Sequence, residues 1–482
     1  MKNLPLLPLG AALALVTLAG AQPALTIYNQ NFAVVRERVP LDLKAGENAV
    51  AFADATAQVE PDSVVLRDPA GRVQLRILEQ SYRADVMSQG LLLAVNEGRT
   101  IDFVVRDQNA KEYTVRGRIV RSGYNPGGEP TAPIIEVDGK LRFSLPGEPL
   151  FPALADGGIL KPTLSWQIGA PQAAKFDAEL GYITGGMSWQ AAYNLVAPEK
   201  GDTLDIVGWV TVNNQSGKLF ENASIKLMAG NVNKVQPQQM NLRARGFAMD
   251  AMEMAPAAVT EKAFDEFHLY TLPRAVTLRD RETKQVEFMR ATGVNAPVIY
   301  VYDGASLFGR IPIPMAGLNR DPNYGTQSNK KVWVMREFRN SEENKLGLPL
   351  PKGRVRFYRR DDADGRIEFT GENEIEHTAK NELLRIYTGD AFDVVGERVR
   401  TDFQGNNRQD FAEESFEITV RNRKSEPVTV RVVEHLYRWT NWTIVQKSDE
   451  FAKKDAQTIE FTVPLKPDEE RKVTYRVRYD WR

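Results

Sequence analysis

Val473-Thr474-Tyr475-Arg476-Val477-Arg478-Tyr479-Asp480-Trp481 is the stretch that decides the fold class. Val473, Tyr475, Val477, Tyr479 and Trp481 alternate with Thr474, Arg476, Arg478 and Asp480. Successive strand side chains point to opposite faces, so this period of two predicts a half-buried strand with an aromatic inner face. The pattern recurs upstream. Phe416, Ile418 and Val420 alternate with Glu417, Thr419 and Arg421, and Val428, Val430 and Val432 resume it after the polar turn Asn422 to Pro427. Short β-rich runs joined by turns indicate a sandwich, and Pro464 and Pro467 fit at turn or edge positions. Residues 413–482 are therefore expected to form an immunoglobulin-like or fibronectin-like module.

The same rhythm extends toward the N-terminus. Leu25 to Tyr28, Ala33 to Val39, Ile101 to Val105, Tyr113 to Val120 and Ile134 to Val137 read as strands, with turn chemistry at Asp68-Pro69-Ala70-Gly71 and Asn96-Glu97-Gly98. These belong to an expected β domain over 22–162, closed by the Pro/Gly-rich stretch Pro146 to Pro162. A central β-sandwich region over 163–412 carries further strands, among them Ala178 to Thr184, Ile206 to Val212, Val298 to Tyr302 and Val332 to Phe338. Within it, 231–260 is rich in Gln, Asn, Ala and Met without periodicity and reads as a long mobile loop. A short helix is expected around Thr260 to Phe267, because Ala263, Phe264 and Phe267 fall on one helical face. The expected class is all-β, a multi-domain β-sandwich architecture.

Composition narrows the setting. Lys2, the apolar run Leu4 to Leu18 and the small-x-small site Ala19-Gly20-Ala21 read as a signal peptide over 1–21, cleaved before Gln22. Export to the periplasm or cell surface follows. The chain has no cysteine, which rules out disulfides, thiolate metal sites and cysteine nucleophiles. Its 62 Lys and Arg against 63 Asp and Glu create no strong field toward nucleic acid or an anionic membrane face. No nucleic-acid partner and no cofactor are expected.

Several segments in a fixed order resemble a known family. They begin with Leu180-Gly181-Tyr182-Ile183-Thr184-Gly185-Gly186-Met187-Ser188-Trp189 and continue through Asn213-Asn214-Gln215-Ser216-Gly217. Leu227-Met228-Ala229-Gly230-Asn231, His268-Leu269-Tyr270-Thr271-Leu272-Pro273, Gly347 to Gly353, Gly371-Glu372 to His377-Thr378 and Gly389-Asp390-Ala391-Phe392-Asp393-Val394 follow. This series, from about Lys175 to Arg482, resembles the C-terminal domain of unknown function in mucoidy-inhibitor-like bacterial envelope proteins. The resemblance implies an envelope-associated β-sandwich protein and no particular reaction. The coiled-coil segment often found at the N-terminus of such proteins is not visible here.

Three clusters are candidates for chemistry. Glu372, Glu374 and Glu376 would share one face of a strand with His377 on the other; such carboxylates hold a metal or pair with the nearby Arg354, Arg356, Arg359 and Arg360. Asp361, Asp362 and Asp364 followed by Gly365 resemble part of a calcium loop, with Glu372 at the twelfth position, but glycine stands fifth rather than sixth and a hairpin explains the run more simply. Met249, Met252 and Met254 offer soft thioethers for Cu(I) or an adaptable contact for an apolar partner. Tyr437, Trp439, Trp442 and Trp481 concentrate aromatics near the C-terminus, for a core or for stacking on sugar rings. No Gly-x-Ser-x-Gly, His-Glu-x-x-His or phosphate-loop motif occurs.

The expected role is a non-enzymatic cell-envelope protein that binds an envelope protein or a polysaccharide, with peripheral membrane association compatible with it. Two other classes stand beside it: a metal-dependent hydrolase using residues 372–377, and an outer-membrane β-barrel, which alternating strands also fit.

Overall fold

The computed structural model describes residues 22–107, 110–125, 128–152, 158–230, 232, 234, 260–264, 267–305, 324–326, 328–405 and 410–481. The protein is all-β and built of several sheets stacked into sandwiches. Among the described residues the α-helix Gln89–Val95 is the exception, started by the Ser88 hydroxyl, which accepts the Leu91 N–H at 3.2 Å.

The chain divides into two compact units. In the first, one sheet runs in the order Phe220–Ala229, Ala24–Tyr28, Phe32–Leu43, Ala174–Gly185, Val65–Arg67. Phe32–Leu43 pairs with Ala174–Gly185 rung by rung along its whole length, and the inward positions Val35, Val39, Leu41, Leu180 and Tyr182 are buried. Strand Thr163–Ala170 lies between Gly46–Ala53 and Arg76–Arg83, with Leu164, Trp166 and Ile168 turned inward. The expected boundary at 162/163 therefore falls inside this unit. Between Arg83 and Thr163, which face each other across a rung, the chain makes an excursion into a separate small sheet. Its order is Glu148–Leu150, Thr100–Arg106, Glu112–Arg121, Ile134–Val137, Lys140–Arg142, around Leu93, Ile101, Phe103, Ile119, Ile135 and Val137.

The second unit contains a nine-stranded sheet. Its order is Trp442–Lys447, Glu470–Asp480, Phe411–Asn422, Leu383–Gly405, Lys331–Arg339, Val298–Asp303, Val428–His435, Thr458–Leu465, Phe451–Lys453. The two outermost strands are joined by residues 448–450 and touch: Lys453 Nζ sits 4.8 Å from the Trp442 ring, and Trp442 Nε1–H donates to the Ala456 carbonyl at 2.7 Å. The sheet thus folds over on itself and encloses Phe416, Ile418, Val430, Val432, Phe461, Val473, Tyr475, Val477 and Tyr479. A boundary at 412/413 cuts through this sheet, because three earlier strands complete it. Val298–Asp303 even runs parallel to Val428–His435, a pairing that needs a long crossover and leaves no local trace in sequence. A five-stranded sheet ordered Glu282–Asn295, Thr203–Asn214, Met187–Ala197, Gly353–Arg360, Ile367–Ile375 lies mainly in this unit.

One local structure occurs twice. Asn214 and Asn422 each end a 12-residue strand and are completely buried. Asn214 Oδ1 accepts the Ser216 N–H at 3.1 Å, while its Nδ2 donates to the carbonyls of Lys218 (2.9 Å) and Arg279 (3.0 Å). Asn422 Oδ1 accepts the Lys424 N–H at 3.0 Å, while its Nδ2 donates to the carbonyls of Glu426 (2.8 Å) and Lys466 (3.0 Å). The spacings, two and four residues on, are identical. The facing hairpin is repeated too. Arg279 N–H donates to the Glu282 carboxylate at 2.7 Å with Arg281 at φ 58°; Lys466 N–H donates to the Glu469 carboxylate at 2.6 Å with Asp468 at φ 54°. Each strand after the turn runs parallel to an earlier one, Ala24–Tyr28 or Val298–Asp303.

The helix expected around Thr260 to Phe267 is replaced by strand at its described residues, 260–264 and 267. Thr260–Phe264 and Phe267–Thr271 are neighbouring strands, and His268 Nδ1 lies 2.7 Å from Glu261 Oε1 between them. A helix of eight residues satisfies few of its own backbone groups, whereas pairing in a sheet satisfies more. The expected signal peptide at 1–21 and the methionines 249, 252 and 254 lie outside the described residues, as does nearly all of the expected loop at 231–260.

Candidate functional site

The hairpin formed by Gly353–Arg360 and Ile367–Ile375 gathers two of the three expected clusters. Asp361, Asp362 and Asp364 occupy its turn. Asp361 N–H and the Arg366 carbonyl close it at 2.8 Å, Gly365 takes φ 73°, and the Asp361 and Asp364 carboxylates accept the Ala363 and Arg366 N–H groups at 2.8 and 2.9 Å. Those oxygens shape the turn as Asx-type acceptors. The tip is tied down from one side: Arg359 donates to the Glu199 carbonyl, and the Glu199 carboxylate accepts the Asp362 N–H at 3.1 Å.

Along the outer face of the hairpin the rungs are Arg354 with Glu374, Arg356 with Glu372, Tyr358 with Phe369 and Arg360 with Ile367. The carboxylates meet cations. Glu372 lies 3.7 Å from Arg356, and Lys352 Nζ lies 3.7 Å from Glu374 and 2.9 Å from Glu376. His377 stands beyond the strand end, its Nδ1 accepting the Lys352 backbone N–H at 3.1 Å. Burial pushes its pKa down, against the opposing pull of Glu376. The four residues are thus close in space but engaged with Lys352 and Arg356. No group of three or more His, Asp and Glu side chains among the described residues is arranged to hold a metal ion.

Toward the tip the ladder turns apolar. Thr370 is an extra residue between the rungs Phe357–Gly371 and Tyr358–Phe369. Without that bulge Phe369 would follow Gly371, Asn373 and Ile375 on the inner face; with it Phe369 comes out beside Tyr358. Their rings meet edge to face at 5.9 Å, and Phe369 and Ile367 remain 56% and 52% exposed. Gly371 is required there: a Cβ would come within 2.7 Å of the Thr388 carbonyl oxygen.

Sequence reading missed a second constellation, inside the nine-stranded sheet. Arg398 Nε contacts the Glu434 carboxylate at 2.9 Å, and Arg438 Nη2 contacts Glu414 at 2.8 Å; all four side chains are fully buried. Tyr475 Oη donates to Glu434 at 2.6 Å, Tyr437 Oη to Glu414 at 3.1 Å, and the Arg398 guanidinium lies 3.9 Å from the Phe416 ring. Burial opposes charge on Arg398, but Glu434 together with Tyr475 and Tyr437 outweighs it and holds the guanidinium protonated; burial first, then Glu434, keeps the Tyr475 hydroxyl protonated. The signal was available: Glu434 continues the inward series Val428, Val430, Val432, and Glu414 precedes Phe416 and Ile418 in theirs. Of the C-terminal aromatics, Tyr437 joins this network, Trp442 packs at the seam, and Trp439 is exposed.

Residues 178–481 match the domain of unknown function DUF4139, from strand Ala174–Gly185 through the last strand. The chain belongs to the DUF4139 family. No curated protein and no solved structure matches it. The DUF4139 match spans all of the nine-stranded sheet, the hairpin and both asparagine turns, and leaves the small excursion sheet outside. No helix of the described residues is long and apolar enough to cross a membrane.

Proposed function

We propose that this protein is a non-catalytic component of the bacterial cell envelope, related to the mucoidy-inhibitor-like proteins, that binds an envelope protein or polysaccharide through the hairpin Gly353–Ile375. One observation carries the reading: a bulge turns Phe369 out of the sheet to stand beside Tyr358 and Ile367. Burying a Phe or Ile side chain is worth about 1.5–3 kcal/mol, which this hairpin leaves unused in folding and available to a partner. An aromatic face rimmed by Arg354, Arg356 and Arg360 suits a sugar ring or an apolar protein surface with acidic neighbours. The leader-like N-terminus supports export.

The test is affinity purification from envelope fractions with wild-type chain and with Ile367→Ser/Phe369→Ser. A partner retained by the wild type should lose at least tenfold in recovery with the double variant, since about 1.4 kcal/mol is tenfold in affinity. Equal recovery would move the contact elsewhere. Stoichiometric metal in the purified chain would instead favour a hydrolase built on Glu372, Glu374, Glu376 and His377.

A further inference from the structure

The excursion sheet carries a second surface, at a distance along the chain from the hairpin and independent of it. Its two outer strands, Lys140–Arg142 and Glu148–Leu150, are linked by residues 143–147. Leu145 and Phe151 in this ribbon pack onto the core, whereas Leu141, Phe143 and Leu150 stay 58%, 68% and 49% exposed. Lys140 and Arg142 are also exposed. Elsewhere on the same sheet three strand cations are neutralised, Arg106 by Glu112, Arg116 by Asp102 and Arg118 by Glu136. Lys140 and Arg142 meet no carboxylate among the described residues. The ribbon is rigidly entered: Asp138 at φ 50° and Gly139 at φ 72° form the tight two-residue turn that such a hairpin prefers.

We propose that the Lys140–Phe143 ribbon docks on an anionic lipid surface. Cations interleaved with exposed apolar side chains are the combination that headgroup phosphates and the acyl boundary together select. Alternation places Leu141 on one side of the strand and Lys140 and Arg142 on the other, with exposed Phe143 following the strand end; long cationic side chains reach past their stems to phosphates while the apolar pair enters the interface. Phe392 makes the contrast. It is the most exposed large apolar side chain described, at 94%, yet Asp390, paired with Lys331 at 2.7 Å, and Asp393 flank it in place of cations.

The experiment is co-sedimentation of the chain from Gln22 onward with vesicles of equal parts phosphatidylglycerol and phosphatidylcholine, and with phosphatidylcholine alone. Binding is expected to the mixed vesicles, to weaken with added salt, and to be weak on phosphatidylcholine. Lys140→Glu/Arg142→Glu should lower the affinity by at least about fivefold, and the charge-keeping Lys140→Arg/Arg142→Lys should restore it. Leu141→Ser/Phe143→Ser should also lower it, and Phe392→Ser should leave it unchanged. All of these positions are exposed, so circular dichroism spectra should superimpose. Equal binding to both vesicle types, absence of binding, or a charge-reversed variant that binds like the wild type would each overturn the proposal.

Discussion

The asparagine turn of the first unit and that of the second use one solution in two different surroundings. Both need a group that accepts one N–H and donates two N–H bonds from a fully buried position, and among side chains only the carboxamide of Asn or Gln offers both at once. The reach of two and four residues selects the shorter Asn. What differs is the nearby buried charge. In the first unit the residue four past Asn214 is Lys218, whose ammonium turns inward to Glu37 at 2.7 Å beside the Phe52 and Phe220 rings. In the second, the corresponding Glu426 stays at the surface with Lys424 at 2.5 Å, and the buried charges stand on the strands as Arg398–Glu434 and Arg438–Glu414. The difference teaches that turn geometry dictates its residue, while ionic pairs inside a sandwich have several permissible sites.

The largest effect should separate the two interiors. Glu434→Gln leaves the Arg398 guanidinium buried without its counter-charge and should destabilise the second unit by about 3–5 kcal/mol in urea unfolding. Lys218→Met should cost less, roughly 2 kcal/mol, because Glu37 keeps some solvent contact and a Met fills the apolar slot. Equal losses would erase the contrast.

Next come the turns themselves. Asn214→Asp and Asn422→Asp each remove two donated hydrogen bonds and set a carboxylate against carbonyl oxygens, so each should cost about 3 kcal/mol. Hydrogen exchange should accelerate at 214–218 and 278–282 in one variant and at 422–426 and 466–469 in the other. A large effect in one and none in the other would show that the two turns are alike in shape only.

The smallest expected effect is a pH dependence confined to the second unit. His435 Nε2 lies 2.9 Å from Asp303 Oδ2, and that hydrogen bond raises the imidazole pKa above its ordinary value despite opposing burial, with Glu434 and Asp455 adding to the rise. A raised folded-state pKa contributes stability that is complete below about pH 6.5, the unfolded histidine value, and is lost as pH climbs through the folded value. Thermal unfolding of the second unit should therefore fall in that window, and Asp303→Asn should flatten the slope; an unchanged slope in that variant would assign it to another group.

Much of this fold is legible in the chain, because strands announce themselves by alternation. Val473 to Asp480, Val428 to Val432 and Leu25 to Tyr28 all form strands where the pattern puts them, with Trp481 just past the strand end. Which strands pair is another matter. Nothing local in Val298 to Tyr302 says that it lies beside Val428–His435, more than a hundred residues on, so alternation alone starts the module at 413 although three earlier strands complete its sheet. The acidic run at 372–376 is legible as a cluster, and of the nearby arginines Arg356 does meet Glu372; Lys352, which takes the other two carboxylates, lies before the strand, where strand alternation does not point to it. Arg398 and Glu434 were missed because a charged residue in an alternating strand is ordinarily read as facing water. The outward turn of Phe369 depends on a single unpaired Thr370, a register detail that no periodicity reveals.

Because the chain departs at Arg83 and comes back at Thr163, opposite ends of one rung, residues 84–162 are topologically detachable. The two anchor points are about 5 Å apart, as antiparallel neighbours are, so a two-residue reverse turn can splice them, with loss of the bonds that the Pro162 carbonyl accepts from the Asp54 and Ala55 N–H groups. That junction is also a natural socket, into which a foreign domain with adjacent termini could be grafted.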